Sequence, residues 1–164
     1  PERAVSVHVR PVAAPAAAAD ALRRVVGESA TPGHLLRVLG RVDVHLVVAY
    51  EDDVPVGLAY GYELPRLKRD EAALLLYEID VLPRHRGQGV GRRLLDTFLD
   101  VARDRDCPSV WLITNAENAP ARALYRASGG LPHRSAVLIR FLPGRGRGRP
   151  RAPPPPADVS WIFD

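Results

Sequence analysis

The stretch that decides the fold is Leu74-Leu75-Leu76-Tyr77-Glu78-Ile79-Asp80-Val81-Leu82, continued by Pro83-Arg84-His85-Arg86-Gly87-Gln88-Gly89-Val90-Gly91-Arg92. An apolar strand-type run passes through a glycine-rich turn into a helix whose Leu94, Leu95, Phe98, Leu99 and Ala102 form one stripe. A helix N-terminus leaves N–H groups free and carries partial positive charge, and glycines let an anion reach the backbone. Arg86 and Arg92 add charge-assisted donors. From these residues alone the turn is either a phosphate cradle or an ordinary loop. A Walker loop is excluded because Gly-Lys-Ser/Thr is absent. The dinucleotide fingerprint fails because Arg92 holds its sixth place.

Working outward, Val5, Val7 and Val9 alternate with Ser6, His8 and Arg10, which predicts a strand ended by Pro11. Helices are predicted over Ala13 to Glu28, closing near Gly27, and around Leu35, Leu36 and Leu39, closed by Gly40. His45 to Tyr50 and Val54 to Leu64 flank the Glu51-Asp52-Asp53 turn as a hairpin, and Ala72 to Leu82 is a further strand. Beyond the Gly89 to Arg105 helix come a strand at Ser109 to Thr114, a helix at Asn118 to Ser128 and a last strand at Ala136 to Leu142. The reading is an α/β (α+β) domain over residues 1–142, a mixed central sheet in the order β-α-α-β-β-β-α-β-α-β with helices on both faces. Residues 143–164, rich in Arg, Gly and Pro, read as a flexible or polyproline-like tail.

A chain of 164 residues with 46% hydrophobic and 26% charged residues is a single folded domain. No apolar run reaches bilayer length, and the Ala-rich start lacks the order of a secretory signal, so a cytoplasmic location is expected. A lone Cys107, with His8, His34, His45, His85 and His133 scattered, supplies no metal-ligand spacing, so no metal is expected. Cys107 reads as a small buried or turn residue, and His85 either touches phosphate or is a solvated loop histidine. Of the net charge of +4, Gly144 to Asp164 carries four Arg and two Asp, leaving the body near balance. Without interleaved aromatics those arginines are a weak signal for a nucleic-acid partner, and a solvated tail is the favoured reading.

The string Arg86-Gly87-Gln88-Gly89-Val90-Gly91, preceded by Ile79-Asp80-Val81-Leu82-Pro83, resembles the acetyl-coenzyme-A loop of the GNAT superfamily of N-acetyltransferases. Asn118-Ala119-Pro120-Ala121-Arg122-Ala123-Leu124-Tyr125-Arg126-Ala127-Ser128-Gly129 is similar to its second motif, N-x-x-A-x-x-x-Y-x-x-x-G. More narrowly, Gly57 to Pro65, Tyr77-Glu78-Ile79 and Ala119 to Tyr125 resemble the gentamicin-type aminoglycoside 3-N-acetyltransferases, over roughly Asp43 to Leu142. The resemblance implies a GNAT fold, acetyl-coenzyme A as co-substrate and direct attack by an aminoglycoside 3-amino group in a ternary complex. It also implies a homodimer. A GNAT enzyme for another amine (a polyamine, another antibiotic or a protein amine) and a non-catalytic coenzyme-A-binding module are the alternatives. The basic His133-Arg134-Ser135 segment and Arg140 depart from the narrower subgroup.

Acetyl transfer to an amine needs a base, an oxyanion donor and an acid for the departing thiolate. Glu78 and Asp80, two apart on a strand, share a face, with Tyr77, Ile79 and Val81 opposite. By resemblance Glu78 is the base and ammonium ligand, with Asp80 a second candidate; ion pairing or solvent exposure is the structural alternative for both. Tyr125 is by resemblance the general acid, or else a core tyrosine. The implied coenzyme contacts are the main chain of Ile79 and Val81 together with Arg86, Gly87, Gln88, Gly89, Val90, Gly91, Arg92 and Asn118. Glu63, Asn115 and Glu117 join Glu78 and Asp80 as candidates for binding a cationic substrate.

Overall fold

The computed structural model describes residues 6–27, 29–133 and 138. The chain divides into two units, Pro1–Thr114 and Asn115–Asp164. The first holds a five-stranded mixed sheet in sequence order: β1 (Val7–Pro11), β2 (Val44–Glu51), β3 (Val54–Pro65), β4 (Ala72–Val81) and β5 (Val110–Trp111). β1 to β4 pair antiparallel, and β5 joins β4 in parallel.

Alternation along each strand assigns the two faces. Val44, Leu46, Val48 and Leu58 form a buried core with Ala19, Leu22 and Val25 of α1 (Ala19–Val26) and Leu35 and Leu39 of α2 (Pro32–Leu39). The opposite face, with Val47, Ala59, Leu74 and Leu76, receives α3 (Val90–Asp104) through Leu94, Leu95 and Phe98. Helices therefore cover both faces, as the sequence predicts. Phe98 and Leu94 are fully buried, and the backbone they approach is glycine: a Cβ on Gly61 would lie 2.8 Å from Phe98 Cζ, and one on Gly57 3.2 Å from Leu94 Cδ1.

The start of the first predicted helix is different. Pro15–Ala18 is a single 3-10 turn, and the α-helix begins only at Ala19. Proline supplies the fixed φ of a first turn and no N–H, so helical hydrogen bonding starts after it. The strand predicted over Ser109 to Thr114 shrinks to Val110–Trp111 because its partner β4 pairs with it only at Leu74 and Leu75.

The second unit contains α4 (Ala119–Ala127), opened by the Asn118 side chain, which accepts from the Ala121 N–H at 3.1 Å. Its Gly129 adopts φ +85, the stop the sequence predicts. Apart from Leu138, the strand expected at Ala136 to Leu142, the departures at Arg134, Ser135 and Arg140, and the tail over 143–164 lie outside the described residues.

Candidate active site

The β4–α3 turn is built by its own side chains. Pro83–His85 forms a 3-10 turn, and then Gly87 and Gly89 take φ +72 and +75, a region that strains any residue with a Cβ. A Cβ at either glycine would meet nothing within 4 Å, so the turn presents bare backbone to open space. Gln88 Nε2 donates to the Arg84 carbonyl at 2.8 Å and braces the loop. Gly89 precedes α3 in the left-handed conformation and no side chain caps the helix, whereas Thr31 caps α2 and Asn118 caps α4. The first-turn N–H groups, including those of Val90 and Gly91, together with the helix dipole fit an anion such as pyrophosphate.

The two arginines flanking the loop are engaged inside the chain. Arg86 Nε donates to the Val81 carbonyl at 2.7 Å and its Nη2 to Asp80 Oδ1 at 3.2 Å. Arg92 Nε donates to Asp96 at 2.9 Å along α3. Arg86 thus ties the turn to the end of β4. His85 is 4% exposed, with Nε2 3.0 Å from Glu51 Oε1. The solvated-loop reading of His85 is overturned: it pins the turn to the β2–β3 hairpin.

Among the described residues, β4 has a free edge beside this turn. The carbonyls of Leu75 and Asp80 lie against β3, at 2.0 and 2.9 Å from where Cβ atoms of Gly61 and Gly57 would be. Alternation therefore directs the main chain of Ile79 and Val81 toward the β5 side, where pairing has already ended at Leu75. Val81 is partly occupied there, since its N–H donates to Asp80 Oδ1 at 2.7 Å and its carbonyl accepts from Arg86.

The register corrects the predicted faces. Tyr60 pairs with Glu78 but Gly61 with Leu76, so Tyr77 is the extra residue of a β-bulge. Glu78 and Asp80 share a face, as expected. Tyr77 does not lie opposite them: its ring packs 5.7 Å from Tyr60 and 5.5 Å from Tyr62, the tyrosines of the Glu78 side. Strict alternation fails because the bulge inserts one residue. Burial, and next the charge of Asp80, push the Glu78 carboxyl above the ordinary glutamate range, partly opposed by a hydrogen bond from Tyr60. Among the described residues no cation pairs with Glu78. A carboxylate in that state suits proton abstraction from an ammonium.

Glu63 is not brought to this face. It pairs with Leu74 across the ladder, on the α3 side, and accepts from His45 Nε2 at 2.8 Å and Arg105 Nη2 at 2.8 Å. Asn115 and Glu117 belong to the second unit, where the Asn115 side chain accepts from the Glu117 N–H at 3.0 Å in the turn before α4. Tyr125 lies on α4, and burial raises its phenol above the usual tyrosine range. Burial, and next the charge of Glu63, push the Cys107 thiol above its usual range, away from the reactive thiolate form.

A five-stranded mixed sheet with helices on both faces, whose β4–β5 pairing ends at Leu75 ahead of a glycine turn and a helix without a side-chain cap, is a mixed α/β fold. The Acetyltransferase (GNAT) family model matches residues 19–129, and the chain belongs to that family. It is 46% identical over 63 residues to mycothiol acetyltransferase of Beutenbergia cavernae, covering 38% of this chain and 21% of that protein. To the [ribosomal protein bS18]-alanine N-acetyltransferase of Escherichia coli K12 it is 36% identical over 73 residues, covering 44% of this chain and 48% of that one. The chain thus spans between a fifth and a half of the length of these curated relatives. Among solved structures, aminoglycoside N-acetyltransferase AAC(6')-Iy in complex with CoA superposes with a TM-score of 0.70 at 18% identity, over 86% of this chain and 98% of that one. That likeness is one of fold. Among the described residues no helix is long and apolar enough to cross a membrane.

Proposed function

We propose that this chain transfers the acetyl group of acetyl-coenzyme A to a primary amine by direct attack in a ternary complex. The observation that carries the reading is the edge of β4 beside the Gly87 and Gly89 turn, unpaired beyond Leu75 among the described residues, with Glu78, which no described cation pairs, on the same stretch. The coenzyme supplies the activated thioester. The N–H groups of Gly87 to Gly91 hold its pyrophosphate, with Gln88 bracing the loop and Arg92 adding charge at its rim. The main chain of Ile79 and Val81 receives the pantetheine arm, with Val81 exchanging its present bonds to Asp80 and Arg86, and an N–H of that strand steadies the oxyanion. Asn118 orders the start of α4 within the second motif.

Glu78 binds the acceptor ammonium and takes its proton, directly or through water. Tyr125, kept protonated by burial, returns a proton to the departing thiolate. Asp80, held by Arg86 and the Val81 N–H, organises the loop as well as adding negative charge beside Glu78.

The acceptor is the 3-amino group of an aminoglycoside, supported by the Gly57 to Pro65 and Tyr77-Glu78-Ile79 strings, or a different primary amine. The second reading is favoured by Glu63, whose commitment to His45 and Arg105 removes one carboxylate from a polycation's reach. The test is acetyl-coenzyme-A-dependent thiol release with gentamicin, sisomicin, spermidine and an alanine-terminated peptide, the acetylated nitrogen being located by mass spectrometry and NMR. Product at the aminoglycoside 3-amino group supports the first reading. Turnover confined to another amine supports the second, and coenzyme binding without thiol release on any of them contradicts both.

A further inference from the structure

Glu78 is faced across the β3–β4 ladder by Tyr60, its register partner on the same face of the sheet, which brings the phenol beside the carboxylate. The Tyr60 ring has little freedom. It lies edge-on to Tyr62 at 6.0 Å between centroids and 5.7 Å from Tyr77, while Tyr62 and Tyr77 are 5.5 Å apart at 85°. At such separations the rings touch, so no cation fits between them; the cluster is a rigid support rather than an ammonium cage. Tyr60 and Tyr62 also pack on the core formed with α1 and α2. The cluster exists because the bulge turns Tyr77 to this side of the sheet.

Resting on the reading of Glu78 as base, we propose that Tyr60 is a positioning residue for acetyl transfer, donating to the Glu78 carboxylate and holding it in one orientation toward the acceptor amine. A donated hydrogen bond favours the charged form of a carboxylate. It therefore opposes burial and the charge of Asp80, the two influences that push Glu78 toward its protonated form. Tyr62 joins Tyr60 from β3 and Tyr77 flanks Glu78 on β4. From α1, packed on the same side, come Asp20, Arg23 and Arg24.

The test is Tyr60→Phe, which keeps the ring and removes the hydroxyl. The acid limb of the kcat/KM profile should move up by roughly one pH unit, the size expected for a lost hydrogen bond to a charged group. The KM for acetyl-coenzyme A should hold. A limb that stays in place overturns the proposal. Carbon-13 titration of the Glu78 carboxyl by NMR should show its midpoint rising in the same variant, and an unmoved midpoint overturns the proposal even if turnover falls. This readout needs no catalysis, so it separates the Tyr60 contact from the assignment of Glu78 as base, which Glu78→Gln tests alone. In the unsubstituted chain the Tyr60 Cζ resonance should follow the Glu78 midpoint; a flat trace there also overturns the contact.

Discussion

Glu63 and Glu78 stand on neighbouring strands of one sheet and end in opposite chemical states. Glu63, on the face toward α3, gathers His45 and Arg105. Burial alone would raise its carboxyl, but hydrogen bonds from these two outweigh it and hold the group below the ordinary range. Glu78, on the other face, is desolvated beside Asp80, an influence that a hydrogen bond from Tyr60 only partly opposes, and lies above that range. A carboxylate matched by cations supports a scaffold, and one left without them is poised to accept a proton. Residue type does not separate these roles; surroundings do.

The severest way to break the comparison is Gly61→Ala. A Cβ there would sit 2.0 Å from the Leu75 carbonyl and 2.8 Å from Phe98, so β3 and β4 cannot keep their register. The expected outcome is loss of the folded state, or a thermal midpoint lowered by more than 10 °C if several kcal/mol are forfeited, as is typical of overpacking against backbone. A variant melting like the parent removes the bulge from the account. Next in size is Tyr125→Phe, expected to lower turnover by roughly 10²-fold, the usual worth of a general acid, and to erase an alkaline limb lying above the ordinary tyrosine range. Unchanged turnover and an unchanged limb make Tyr125 a packing residue.

A smaller effect sharpens the comparison by its sign. Glu63 has a lowered carboxyl in the folded chain, so its stabilisation is present above its unfolded value and is lost as pH falls through the folded one. Glu78 is raised, so its contribution is present below its unfolded value and is lost as pH rises through the folded one. Near neutral pH, Glu63→Gln should lower the melting temperature, with about 1 kcal/mol lost along with a charged hydrogen bond. Glu78→Gln should raise it. Shifts of the same sign in calorimetry would contradict the contrast.

The sequence carries the glycine turn, the amphipathic α3 and the Asn118 cap because each is a local pattern of Gly, apolar spacing or capping residue. Glu78 and Asp80 on one face were equally legible, since both follow the bulge. Tyr77 was not, because alternation counts residues and the bulge depends on the close approach of Leu75 to a glycine on another strand. Gly61 is the trace of it, visible once the register is known. In the sequence Glu63 reads as a substrate ligand because its partners come from β2 and the end of α3, positions no local pattern joins. The place of His85 is open in the sequence for the same reason, its partner Glu51 lying at the end of β2.

The most direct test is acetyl-coenzyme-A-dependent thiol release measured side by side for the parent chain, Glu78→Gln and Glu63→Gln, with the best acceptor from the panel. The account predicts that Glu63→Gln stays within a few-fold of the parent while Glu78→Gln loses roughly 10²-fold or more in turnover, with coenzyme affinity kept. Equal rates for the parent and Glu78→Gln, or a larger loss in Glu63→Gln when both variants are folded, would contradict it.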